Sequence, residues 1–157
     1  MAALLSASPA GAHFQTSIAH IWKHITPLAD KRYVKKSEVR TITGTYFIEA
    51  TGAAGSAVAS DSISFGRTLK TAPTAHFIKV DDTPPAACPG TVTAPRARAG
   101  HLCVYESRMA NVASNRGIWN PTGTGGFTST RMGTGVYAYS NAAGQFWSHG
   151  TWAVTIP

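Results

Sequence analysis

The constraint that most limits how this chain can fold is a change of hydrophobic period near Thr41. Upstream, "TSIAHIWKHIT" (residues 16–26) places Ile18, Ile21, Trp22 and Ile25 at i, i+3, i+4 and i+7, one face of a helix. Thr16 or Ser17 can cap its start and Pro27 stops it. A helix this short is marginal alone, so its apolar face must dock, on its own domain or on another copy of the chain. Downstream the period is two. "TITGTYFIEA", "AVASDSISFG", "TAHFIKV" and "HLCVYES" alternate apolar and small polar residues, with Ile42, Val58, Ile63, Phe65, Phe77, Val80, Leu102 and Val104 on the apolar side. "GTGVYAYS" and "FWSHGTWAVTIP" flank Asn141-Ala-Ala-Gly144, which reads as a hairpin turn. In the last strand Trp152, Val154 and Ile156 share a face. Six or more short strands with Gly- and Pro-rich connections predict a mainly β fold. The expected form is an antiparallel, jelly-roll-like β-sandwich with a short N-terminal amphipathic helix.

Three segments are expected: residues 1–12, an arm and basic linker over 13–40, and the β domain over 41–157. "MAALLSASPAGA" ends in the small-x-small pattern that precedes a signal cleavage site, but lacks a basic n-region and a full apolar run. It reads either as the end of a signal peptide cleaved after Ala12 or as an ordinary terminus. No apolar run is long enough for a membrane span. Of a net charge of +7, the first 40 residues carry six basic and two acidic groups, a net of +4. That basic character suits an anionic cell-surface polymer, or simply a solvated segment, and no motif marks specific nucleic-acid binding. "DKRYVKKSEVR" resembles the RYxxKxEV segments of phage-fibre and bacterial surface-protein stalks, though it occurs once and nothing repeats.

Cys88 and Cys103 are the two cysteines. Their spacing is not that of a CxxC redox pair. A structural zinc site needs about four ligands, and only His101, two residues from Cys103, is near. A catalytic thiol is a poor fit for Cys103, flanked in a strand by Leu102 and Val104. In an exported chain the pair reads as a disulfide closing a Pro-bounded basic loop, with Arg96 and Arg98 as its exposed contact residues.

Enzyme chemistry finds little support. His20 and His24 lie at i and i+4 with His13 nearby, but Ile21 stands where HExxH needs Glu. Outside the arm the acids are Glu49, Asp61, Asp81, Asp82 and Glu106, none arranged as a glycosidase pair. There is no G-x-S-x-G, and "NPTGTGGFTSTRMGTG" lacks the Lys of a phosphate loop and reads as a hairpin connection. No metal and no cofactor are therefore expected. Trp119, Trp147, Trp152, Tyr137 and Tyr139 lie in or beside strands, where aromatic rings serve as core or stack on sugars.

"APTAHFI", "CPG…APRARAGHLCVYE", "NRGIWNPTG" and "FWSHGTWAVTIP" resemble segments of uncharacterised secreted actinobacterial proteins. In the arm, His20, Trp22, His24, Ile25, Pro27, Ala29, Asp30, Arg32 and Tyr33 match the family's H-x-W-x-H-I-x-P-x-A-D-x-R-Y pattern. The resemblance implies export, a cystine and a shared β domain, and no activity. The expected function is a secreted, non-enzymatic surface or structural interaction module that associates with itself through Ile18, Ile21, Trp22 and Ile25. The alternative is a carbohydrate- or cell-wall-binding module using strand aromatics with Arg96, Arg98, Lys35 and Lys36.

Overall fold

The computed structural model describes residues 40–123 and 126–157, together with Ile21, Lys23 and Ile25. The expected helix, Ile18, Trp22, Lys35, Lys36, the His20/His24 pair and the leader-like segment lie outside the described residues. Ile21 and Ile25 are exposed.

Among the described residues seven strands form: β1 (Thr41–Gly52), β2 (Val58–Ser64), β3 (Thr74–Ile78), β4 (His101–Ala110), β5 (Val112–Trp119), β6 (Gly133–Ser140) and β7 (Gly144–Thr155). They make a four-stranded sheet in the order β1-β7-β4-β3 and a three-stranded sheet in the order β2-β6-β5. The alternation seen in the sequence supplies one face of each to a common core. Tyr46, Ile48, Leu102, Val104, Phe146 and Trp152 come from the larger sheet, and Ile63, Val112, Ile118, Val136 and Ala138 from the smaller. Trp152 lies against Gly44, its register partner on β1, where a Cβ would stand 2.6 Å from the indole ring.

Two expectations need correction. The pairing is not antiparallel throughout: β3 runs parallel to β4, with Thr74 opposite His101 and Phe77 opposite Val104. A parallel pair needs a long crossover, and residues 79–100 provide it. Nor do β6 and β7 form a hairpin. β6 pairs with β2 and β5, and β7 with β1 and β4. The turn after β6 carries the chain from one sheet to the other, and its backbone bonds go to Asn111 instead of to a strand partner. Ala142 N donates to Asn111 Oδ1, and Asn111 Nδ2 donates to the carbonyls of Ala142 and Gln145. Asn111 itself sits where the chain changes sheet between β4 and β5, with φ of 51°, a left-handed conformation that Asn tolerates better than most residues.

The crossover explains why β4 is buried on both faces from Leu102 to Glu106. Leu102 and Val104 face the common core, while Cys103 and Tyr105 form a second, smaller cluster with Ile78 and Cys88 beneath the crossover loop. Cys88 and Cys103 form the expected disulfide. Tyr105 Oη, in the same cluster, donates to the Arg96 carbonyl at 2.6 Å and accepts from Gly90 N–H at 3.0 Å. Burial raises its pKa, so the hydroxyl keeps its proton for that bond.

Candidate binding site

The face of the β2-β6-β5 sheet that points away from the core carries an aromatic groove, and the strand register builds it. On β6, Gly135, Tyr137 and Tyr139 share that face; opposite them, β2 supplies Ser60 beside Tyr137 and Val58 beside Tyr139. On the other side, β5 places Gly117 against Tyr137 and Trp119 against Gly135. Each glycine makes room for the ring across from it. At Gly135 the space is already filled: a Cβ there would overlap the indole of Trp119. Such cross-strand aromatic cover of a glycine fixes the ring's position as well as the register.

Phe127, from the β5–β6 connection, completes the groove by stacking on Tyr137 with ring centroids 6.1 Å apart. Tyr137 meets Tyr139 edge to face at 5.9 Å. The cavity so enclosed is about 440 Å³, lined by these rings with Trp119, Val58, Ser60 and Asn115. That size falls within the roughly 300–1,000 Å³ of small-ligand sites, which combine apolar walls with a few placed polar groups. Here the polar groups are the Ser60 hydroxyl, the Asn115 amide and the two tyrosine hydroxyls. Tyr137 Oη donates to Asn115 Oδ1 at 3.1 Å. Burial and, secondarily, the neighbouring Tyr139 raise the Tyr137 pKa, so its hydroxyl stays neutral and works as donor and acceptor. Val58, Trp119 and Phe127 are 58%, 39% and 71% exposed. Large apolar side chains so exposed and contiguous mark an interaction surface.

The structure thus brings together Trp119, Tyr137 and Tyr139 from the expected contact residues. Arg96 and Arg98 are exposed but belong to the crossover loop on the far face of the other sheet, so they take no part in the groove. Arg98 Nε donates to the Ala86 carbonyl, making it a brace of that loop. Of the remaining aromatics, Trp152 is core, and Trp147 stacks on His149 at 5.1 Å on the outer face of the larger sheet. Sequence reasoning missed Phe127, inside a segment read only as a connection, and Asn115, Ser60 and Val58. The alternation in "NRGIW" and "GVYAY" carried a usable signal, since Asn115, Gly117 and Trp119 share one face, as do Gly135, Tyr137 and Tyr139.

Among the described residues no group of three or more His, Cys, Asp or Glu is placed to hold a metal ion, and no helix is long and apolar enough to cross a membrane. His101 pairs with His76, Nδ1 to Nε2 at 3.1 Å, and Cys103 is taken by the disulfide. No protein family, curated protein or solved structure matches this chain.

Proposed function

We propose that this protein is an exported, non-enzymatic β-sandwich module that binds glycan through the groove on its β2-β6-β5 sheet. The observation that carries the reading is the convergence of Trp119, Phe127, Tyr137 and Tyr139 on one open cavity with neutral hydroxyl and amide groups at its walls. Sugar rings offer apolar C–H faces to aromatic rings and hydroxyls to such polar groups. Among the described residues the lining is aromatic, aliphatic, hydroxyl and amide, the mix that suits a sugar ring. The cystine supports export, because disulfides persist in oxidising compartments. The test is titration with soluble plant and bacterial cell-wall oligosaccharides, followed by tryptophan fluorescence. Binding that is lost in Trp119→Ala and Tyr137→Ala supports the reading; no binding by any oligosaccharide, with the fold intact, overturns it.

Self-association through the arm is a second, compatible reading. It is favoured by the spacing of Ile18, Ile21, Trp22 and Ile25 at i, i+3, i+4 and i+7, an apolar face that a short helix must cover. Light scattering on the full chain and on a chain lacking residues 13–40 tests it; a monomer in both cases sinks it.

A further inference from the structure

We infer that the groove is one half of a longer site that crosses β5 at Gly117 and ends at Lys79, and that its occupant is a carboxylate-bearing polysaccharide chain. The inference rests on the glycan reading above and names the class of glycan.

A second cavity, of about 320 Å³, shares Phe127 and Tyr137 with the first and reaches Phe77, Lys79 and Arg116 at the edge where β3 and β5 face one another. Gly117 lines it. A Cβ at Gly117 would meet nothing closer than Tyr137 at 4.0 Å. Gly117, itself buried, forms part of the floor of the second chamber, and Phe127 and Tyr137, which line both cavities, are what joins the two. A single sugar ring would need only one chamber; two joined chambers suit a chain.

Charge distinguishes the second chamber from the first. Among the described residues, the walls of the first hold no ionisable group but its two tyrosines. In the second, Arg116 is already committed: Nε and Nη2 donate to Glu106 at 2.8 and 2.9 Å, and Nη1 to the Ala113 carbonyl. Lys79 is not. Among the described residues its ammonium gives one hydrogen bond, to the Ser114 carbonyl at 3.1 Å, and an ammonium has three donors. The Asp82 carboxylate accepts the backbone N–H of Lys79 through Oδ2, and among the described residues no ion pair joins it to the Lys79 ammonium. The lysine is therefore placed to receive a carboxylate at the end of an aromatic track, the complement of a uronate-containing chain and not of a neutral one.

The test compares hexagalacturonate with cellohexaose and xylohexaose at physiological salt, using the full chain and fluorescence or calorimetry. Hexagalacturonate should bind more tightly than either neutral hexamer. Lys79→Ala should reduce that affinity about tenfold, the scale of one charge-assisted hydrogen bond, and leave neutral binding unchanged. Lys70→Ala, which removes the same charge at an exposed position outside both chambers, should change neither. Gly117→Leu should abolish the advantage of a hexamer over a dimer, because its side chain would enter the second chamber that Gly117 lines. Equal affinity for acidic and neutral hexamers, or a Lys70→Ala loss as large as that of Lys79→Ala, overturns the inference and leaves the glycan reading standing. No binding by any of the three hexamers overturns the inference, and the glycan reading falls with it only if the wider set of plant and bacterial cell-wall oligosaccharides also fails to bind.

Discussion

The carboxylate of Glu106 on β4 and the guanidinium of Arg116 on β5 meet at 2.8 Å and so join the two sheets by an ion pair. Both side chains are almost fully withdrawn from solvent, at 0% and 9% exposure. The pair anchors a longer polar chain, since Ser148 Oγ donates to Glu106 at 2.8 Å, Tyr46 Oη lies 3.3 Å from Ser148, and Val80 N–H also donates to Glu106. Removing one member of such a buried pair strands the other's charge, whereas replacing both with apolar residues often costs little. Arg116→Met should therefore destabilise the protein by roughly 3–5 kcal/mol. Glu106→Leu combined with Arg116→Met should recover part of that loss. Urea unfolding of the two variants checks this; a double variant no more stable than Arg116→Met would show that the pair's remaining bonds, not its charges, hold the sheets.

On the opposite edge the sheets are joined differently. Asp61 of β2 accepts the backbone N–H of Phe47 on β1 at 2.9 Å, a bond on an exposed edge. Asp61→Asn should cost about 1 kcal/mol or less, on the scale of one solvent-accessible hydrogen bond, much less than Arg116→Met in the same urea experiment. A cost equal to that of Arg116→Met would contradict the contrast between a buried and an exposed tie.

The cystine fastens the crossover loop to β4 near its start. Closing a loop of this length stabilises by roughly 3 kcal/mol in the chain-entropy account. The loop buries little else: the cluster beneath it is Ile78, Tyr105 and the two half-cystines, edged by Ala87, Val92 and Ala97. Reduction, or Cys88→Ser with Cys103→Ser, should lower stability by about that amount and expose the loop to protease first, between residues 79 and 100. The aromatic groove, on the other sheet, should keep its ligand affinity. Limited proteolysis with mass spectrometry, alongside binding, separates the two effects.

How far the sequence disclosed this architecture depends on whether a feature is local. Alternation located strands around Ile42, Ile63, Phe77, Leu102 and Trp152, because burial on one face leaves a period-two trace in each segment by itself. Pairing leaves no such trace. "NAAG" marks a turn, but nothing in it says that Asn111, thirty residues earlier, takes its backbone bonds and sends β6 and β7 into different sheets. The parallel β3–β4 pair was equally hidden, since its crossover is an irregular segment and not a recognisable helix. Glu106 falls on the face of Leu102 and Val104 by alternation, but nothing in "VYES" names Arg116 and Ser148 as the partners that let an acid be buried there. The aromatic residues of the groove were visible as residues, and became a site only when the register set Trp119 over Gly135 and Tyr137 beside Gly117.

That register gives a prediction independent of any ligand. The indole of Trp119 occupies the space above Gly135 that a Cβ would need. Gly135→Ala should push the ring outward, at a stability cost of about 1–2 kcal/mol, and should make Trp119 more accessible to iodide quenching. Comparing Gly135→Ala in the native chain and in a Trp119→Phe background isolates this tryptophan from the others. An unchanged quenching difference would mean that the ring does not rest on Gly135 in solution.

The last prediction concerns pH. His76 on β3 and His101 on β4 stand with Nε2 and Nδ1 3.1 Å apart and ring centroids 5.2 Å apart. Partial burial and, to a lesser degree, the proximity of His101 lower the pKa of His76 below 6.5. A neutral histidine can donate to a neutral partner, but two protonated rings so placed repel. Between the lowered folded value and the unfolded value near 6.5, the unfolded chain binds more protons than the folded one, so stability rises with pH through that window. Its full contribution is present above about pH 6.5 and is lost as the pH falls through that value toward the folded pKa. Thermal melts from about pH 8 down to about pH 5 should show a falling Tm for the native chain. His76→Gln should flatten that fall, since the replacement does not titrate. A variant whose melting temperature drops as steeply as the native one over the same range would remove His76 as the source of the acid sensitivity.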